Sequence, residues 1–337
     1  MKSTHKTPKR QKSKGRAERG GNIDLLVDIA RAYYEQGHDQ GKIARSLGLS
    51  RSQVSRYLLQ ARQQNLVQVR VVSPGERTQG SEQALKQRFT ALREAIVVPV
   101  FNLQPAPLRK TIGRACAHYL EQTIRPGVRM CVGSGRTLCE VFDWLHPTQV
   151  PNVSIIQAMG NVGHEAMEID FNHMARAAAA AFGGKVYLMN APAILGSGSV
   201  DDLMETNPSI KETLNLAHAA DLYLFGVGSI SSDLIFTRGG IFRQEDLEQL
   251  RQRGSIGDIG ARFFDLAGRE VPSSFGDRIV GITLEDLRSE ALTIAVAGGP
   301  DKVLPLIGAL HGGFIKVLIT DEQTAGSILA YEGEMDR

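Results

Sequence analysis

Residues 39–62 read DQGKIARSLGLSRSQVSRYLLQAR, two short amphipathic segments separated by a glycine. In the first, Ile43, Ala44 and Leu47 recur at helical spacing. Gly48 then supplies the left-handed residue that ends a helix, with Leu49 placed to pack beneath the turn. The second segment opens on Ser50, and Gln53 three residues later completes an S-x-x-Q capping box. Val54, Leu58 and Ala61 follow at four and three residues and form one buried stripe. Ser52, Ser55, Arg56 and, at the stripe's edge, Gln53 are left facing outward. Segments this short are unstable alone, so they must pack on each other, and the pattern predicts a helix-turn-helix. The outward face suits DNA. Arginine forks onto guanine O6 and N7, glutamine matches adenine in the same way, and serine bonds phosphates or either base from the first turns of a helix in the major groove. With the residues at the two helix starts, the candidate DNA contacts are Gln40, Ser50, Arg51, Ser52, Gln53, Ser55 and Arg56. The competing reading is an ordinary solvated helical hairpin. The coincidence of cap, turn glycine and polar outer face favours the helix-turn-helix.

Upstream, residues 23–36 place Leu26, Ile29, Ala30 and Tyr33 at helical spacing with Gly37 as a stop, which predicts a supporting first helix. Further upstream, residues 1–21 carry eight basic residues against Glu18 alone. That is a net +7, which leaves −4 for the remainder of a chain whose total is +3. This tail has no apolar run, so it is expected to be disordered and is neither a signal peptide nor a membrane span. It is either a phosphate clamp beside the head or a solvated passenger. Downstream, residues 66–72 (LVQVRVV) predict a short strand that meets Ser73, Pro74 and Gly75, so a linker is expected over 73–81 after a DNA-binding domain of 22–72.

A chain of 337 residues is too long for a DNA-binding head alone, so residues 82–337 must form a further domain. Cys116, Cys131 and Cys139 are odd in number and lack C-x-x-C spacing, which argues against a disulfide framework and a zinc site. His164, His173 and His218 have no metal-like spacing either, so no metal or cofactor is expected. No apolar run approaches the ~18 residues of a membrane span, and a cytoplasmic protein with no membrane partner is expected.

From residue 82 on, short apolar runs alternate with amphipathic stretches. Strands are predicted at 95–100, 129–132, 154–158, 186–189, 222–227, 278–281, 292–297 and 314–319. Helices are predicted at 109–121, 137–145, 172–182, 244–253, 301–310 and 321–331. The fold class is therefore α/β: an all-α head followed by a larger domain with a mainly parallel, helix-covered sheet and ligands at the C-terminal strand ends.

Three stretches of that domain could carry chemistry. In CVGSGRTL, a strand runs through Gly133, Ser134 and Gly135 into a helix begun by Arg136 and Thr137. Glycines let backbone approach an anion, and the helix start offers free N–H groups and the positive dipole end. The stretch is neither a P-loop nor a dinucleotide fingerprint, and such turns also occur as plain tight turns. In GSIGDIGARFFD, Asp258 sits between glycines with little nearby to bond it, whereas Asp265 is placed to cap the following turn. In VAGGPDK, Lys302 lies in the first turn of a helix, against the dipole, so an anionic partner accounts for it better than helix stability does; a solvated surface lysine is the alternative. Ser197, Ser199 and Asp201 fall in a Gly/Ser-rich loop that reads equally as lid or filler.

Taken in order, ARAYYEQGHDQGKIARSLGLSRSQVSRYLLQAR, VGSGRTL, GSIGDIGARFFD and AVAGGPDKVLPLIGALHGGFIKVLITDEQTA resemble the SorC-type family of sugar-responsive bacterial transcriptional regulators over residues 24–331. That resemblance implies a sugar-binding domain related in fold to sugar-phosphate isomerases, and a dimer or tetramer on operator DNA. It also implies a small sugar, sugar-phosphate or polyol effector, with phosphate at Ser134 to Thr137 and the polar end at Asp258 and Lys302. Gly160, in QAMGNVG, belongs to the same candidate set. Some members carry a basic residue where this chain has Met159, so an unphosphorylated polyol also fits. The competing class, an isomerase-like enzyme with an incidental head, needs a positioned base and a complementary acid. Asp258 is the one prominent carboxylate, and a regulator is expected.

Overall fold

The structure, a computed structural model, describes residues 17–34, 36–64, 66–67, 74–100, 104–162, 171–231 and 235–332. The chain forms two compact units, Met1–Val72 and Ser73–Arg337.

In the first unit α1 (Ala17–Tyr34), α2 (Gln40–Leu47) and α3 (Arg51–Gln63) enclose two small clusters. One is built on Ile29, Ile43, Ala44, Val54 and Leu58, the other on Leu26, Ala30 and Ala61. α1 begins at Ala17, so the last five residues of the expected disordered tail are helical, while residues 1–16 lie outside the described residues. Most of the strand expected at 66–72 also lies outside them. Leu47, expected on one helical face with the buried Ile43 and Ala44, is 42% exposed: α2 ends there, and Leu49 beyond the Gly48 turn packs against the cluster.

The second unit runs α4 (Pro74–Arg88), β1 (Glu94–Val98), α5 (Pro105–Thr123), β2 (Arg129–Val132), α6 (Arg136–Trp144), β3 (Ser154–Gln157), α7 (Phe171–Phe182), β4 (Lys185–Tyr187), α8 (Val200–Thr206), α9 (Pro208–His218), β5 (Leu222–Phe225), β6 (Gly228–Ser229), α10 (Ile235–Arg238), α11 (Gln244–Gln252), β7 (Gly257–Ile259), β8 (Arg262–Phe264), α12 (Leu284–Arg288), β9 (Leu292–Val296), α13 (Val303–His311), β10 (Val317–Asp321) and α14 (Glu322–Ala330). Seven strands form a parallel sheet in the order β1-β10-β9-β5-β2-β3-β4. The period-2 alternation of a strand sends Met130 and Val132 of β2 into a cluster with α5, α6 and α7, and Cys131 into the opposite cluster with α4, α9, α12, α13 and α14. Both faces are covered, which is why the strands read as continuous apolar runs.

The mainly parallel α/β reading is correct, and the departures have physical causes. Residues 74–81, expected as linker, belong to α4. That helix is anchored by buried Leu85 and by Arg88, whose Nη1 and Nη2 donate to the Ile328, Leu329 and Tyr331 carbonyls at 2.7, 3.1 and 2.6 Å, closing the C-terminus of α14. The expected strand at 278–281 is absent. Its Ile279 and Gly281 make only isolated bridges, to Ile194 and Met159, because this apolar run is buried against loops rather than sheet-paired. Unforeseen is a small antiparallel sheet, β6-β7-β8. The Gly/Ser loop resolves into a capping box: Ser199 Oγ accepts from the Asp202 N–H at 3.2 Å and opens α8.

Candidate effector site and DNA-binding face

The sheet order fixes where a ligand crevice opens. From β2 the chain winds outward through β3 and β4, then returns on the other side through β5, β9 and β10, so β2 and β5 flank the topological switch. The turns beyond β2, β5 and β9 therefore lie side by side at one sheet end. They carry Gly133–Gly135, Gly226 and Gly298–Gly299.

At the β2 turn, the Gly133 N–H donates to the Leu224 carbonyl of β5 at 2.8 Å, and a side chain at Gly133 would press on Phe225. Gly135 holds φ 146°, a conformation that favours glycine, and stands at the N-cap of α6 without any side-chain cap. The Ser134 and Thr137 hydroxyls, both half-buried, make no hydrogen bond to a described residue, while Arg136 does have an interaction partner. The start of α6 thus has no side-chain cap and two hydroxyls beside it, an arrangement that suits an anionic or polar group.

The β9 turn is built differently. Gly299, with φ 107°, donates its N–H to Asp321 Oδ2 at 3.0 Å and to Thr324 Oγ1 at 2.7 Å. Asp321 is also the N-cap of α14, where Oδ1 accepts from the Gln323 and Thr324 N–H groups. Three residues on, Lys302 Nζ meets Asp301 Oδ2 at 3.1 Å and donates to Ser229 Oγ of β6 at 3.4 Å. Pro300–Lys302 forms a 3-10 turn ahead of α13, so the expected helix at 301–310 has a tighter start than predicted.

Asp258 lies on β7, where it pairs in register with Gly228 of β6, next to Ser229. It is 4% exposed; Oδ2 accepts from the Ala261 N–H at 3.1 Å, and Oδ1 is buried without a partner. Burial pushes its carboxyl up to about 6, although the Ala261 bond and the Lys302 charge pull the other way. Asp258 and Lys302 are thus brought together through β6. Asp265 closes its own turn, accepting from the Ala267 and Arg269 N–H groups at 2.9 Å each.

Gly160 is different in kind. Its N–H is spent on the Val280 carbonyl at 2.9 Å, and a Cβ there would fall 2.3 Å from the Pro192 carbonyl oxygen. This glycine allows two backbones to touch. Met159 beside it is buried in the core. His164 lies outside the described residues, and His218 pairs with Asp286 at 2.8 Å. Among the described residues no group of three or more His, Cys, Asp or Glu could hold a metal, and no helix is long and apolar enough to cross a membrane.

In the head, local rules hold closely. Asp39 caps α2, accepting from the Lys42 N–H at 2.8 Å, and Gly48 takes φ 64°. Ser50 and Gln53 form the reciprocal box at 3.1 and 2.8 Å, and Ser50 and Ser52 share a hydroxyl contact at 2.9 Å. Arg51, Ser52, Ser55 and Arg56 are exposed, and Gln40 at the start of α2 is half-buried. Gln53 is half-buried with Oε1 committed to the cap, so a two-point contact to adenine would have to break that cap. Leu59, seven residues beyond Ser52 on the same side of α3, is also exposed.

Comparison with known proteins agrees with this architecture. The Sugar-bind family model, which describes a sugar-binding domain, matches residues 73–330. The chain is 31% identical over 307 residues to the deoxyribonucleoside regulator of Bacillus subtilis (strain 168), spanning 90% of this chain and 97% of that protein. Over 316 residues it is 29% identical to the sorbitol operon regulator of Klebsiella pneumoniae, spanning 93% and 99%. The crystal structure of the full-length sorbitol operon regulator SorC from Klebsiella pneumoniae superposes with a TM-score of 0.71 at 28% identity, covering 91% of this chain and 98% of that one. With a parallel α/β sugar-binding domain behind a helix-turn-helix head, this chain belongs to the SorC-type family of sugar-binding transcriptional regulators.

Proposed function

We propose that this regulator binds operator DNA through α3 and controls a carbohydrate or polyol catabolic operon in response to a small sugar, sugar phosphate or polyol. The observation that carries the effector site is the buried Asp258 Oδ1 without a partner, set beside Lys302. A polar atom left unpaired in a protein interior costs free energy, and a ligand hydroxyl arriving from the crevice would recover it. Gly133 to Thr137, at the uncapped start of α6, receives the effector's anionic or most polar group, and Asp258 and Lys302 receive its hydroxyls. Gly160 supports this end of the sheet by backbone packing. Nothing in this assignment needs a reaction: of the carboxylates near the Gly299–Lys302 turn, Asp301 is paired with Lys302 and Asp321 is spent on capping α14, and the protein acts as a cytoplasmic sensor rather than an enzyme.

A single head contacts one half-site, so useful affinity needs two heads spaced by a homo-oligomer, dimer or tetramer. The effector acts through its different affinity for two arrangements of that assembly. A thermal-shift screen of sugar phosphates and polyols tests the reading: a ligand at a hundred times its dissociation constant adds ~2.7 kcal/mol. Gel shifts with Asp258→Ala and Lys302→Ala should then show normal operator binding and a lost response. An unaltered response in both variants places the sensor elsewhere.

A further inference from the structure

The outward face of α3 is polar with one exception. Counting from the buried Val54, Leu58 and Ala61, the opposite side of the helix carries Ser52, Arg56, Leu59 and Gln63, spaced i, i+4, i+7 and i+11. All four are exposed in the structure, and Leu59 is the most exposed of the chain's large apolar side chains among the described residues, at 55%. It belongs to neither buried cluster of the head. A lone exposed leucine means little by itself. This one sits within the surface that has to meet DNA, flanked by Arg56 one turn before it and Gln63 one turn after.

The major groove presents one apolar feature, the 5-methyl group of thymine. Leu59 lies seven residues beyond Ser52, about 10 Å along the helix axis, which is about three base-pair steps further along a groove that α3 follows. We propose that Leu59 is a specificity-determining residue that selects thymine by packing on its methyl group, at a position of each half-site distinct from the one read by Arg56. The inference rests on α3 being the DNA-reading helix.

The test uses the full-length chain and an operator duplex selected by it from random DNA. Each thymidine in turn is replaced by deoxyuridine, which removes the methyl and leaves every hydrogen-bonding edge unchanged. At one thymine per half-site the replacement should weaken binding about four-fold, the size of one buried methyl group's transfer. In Leu59→Ala that same replacement should change nothing, while deoxyuridine effects elsewhere persist; Leu59→Met, which keeps an apolar reach, should retain the discrimination. Deoxyuridine effects that are identical in the wild type and Leu59→Ala overturn the proposal. So does a Leu59→Ala protein that fails to fold, or one whose oligomeric state falls in sedimentation, since the leucine would then be core or a contact between heads. Arg56→Ala separates this from the wider reading: if it too leaves sequence preference untouched, α3 does not read the operator at all.

Discussion

Two buried carboxylates flank the Gly299–Lys302 turn, and their surroundings could hardly differ more. Asp321 is fully buried, and its two oxygens accept from the Gly299, Gln323 and Thr324 N–H groups and from the Thr324 hydroxyl. Asp258 is almost as buried, yet one oxygen has a single bond and the other has none. A saturated carboxylate at depth is a fastener: it ties the end of β9 to the start of α14. An unsaturated one is a cost the fold carries, and such costs collect where a ligand is to be met.

If this contrast is right, Asp321→Ala should be the most damaging change. It strips a cap from α14 and leaves the buried Thr324 N–H and hydroxyl without their acceptor, for a loss of about 4 kcal/mol in urea denaturation. A loss under about 1 kcal/mol would break the comparison. Gly160→Ala comes next, at about 3 kcal/mol, because a methyl group there meets the Pro192 carbonyl rather than open space. Normal stability with a lost effector response would instead return Gly160 to the binding surface.

The Asp258 carboxyl gives the third test, through pH. Its folded value is raised to about 6 from an ordinary 3.8, so the folded state holds the proton more tightly than the unfolded chain. The resulting stability is fully present below about pH 4 and is lost as pH rises through 6. Wild type should lose about 2 kcal/mol across this window relative to Asp258→Asn, and the variant should be at least as stable as wild type at pH 7. The same Asp-to-Asn change at 321 should be destabilising, and equal signs at the two sites would erase the distinction. The smallest effect is expected at α6, where Ser134→Ala and Thr137→Ala should move stability by under about 0.5 kcal/mol, since neither hydroxyl bonds a described residue. Both should weaken the response to a phosphorylated effector in gel shifts.

The sequence by itself determined the head and the rhythm of the large domain. The Ser50–Gln53 box, the Gly48 stop and the Val54, Leu58, Ala61 stripe are relations between residues three or four apart, which a helix makes neighbours by its own geometry. The uncapped glycine turn before α6 was legible for the same reason, and so was the parallel sheet, whose strands are short apolar runs set between amphipathic helices. Only the tertiary structure decided what the distant partners do. Gly299 finds Asp321 across 22 positions, and Gly160 meets Pro192 across a gap between loops. Asp258 comes near Lys302 only because β6 and β7 pair into a sheet too short to announce itself in sequence. Burial, and with it the difference between a satisfied carboxylate and an orphaned one, depends on which segments pack together, and no local spacing records that.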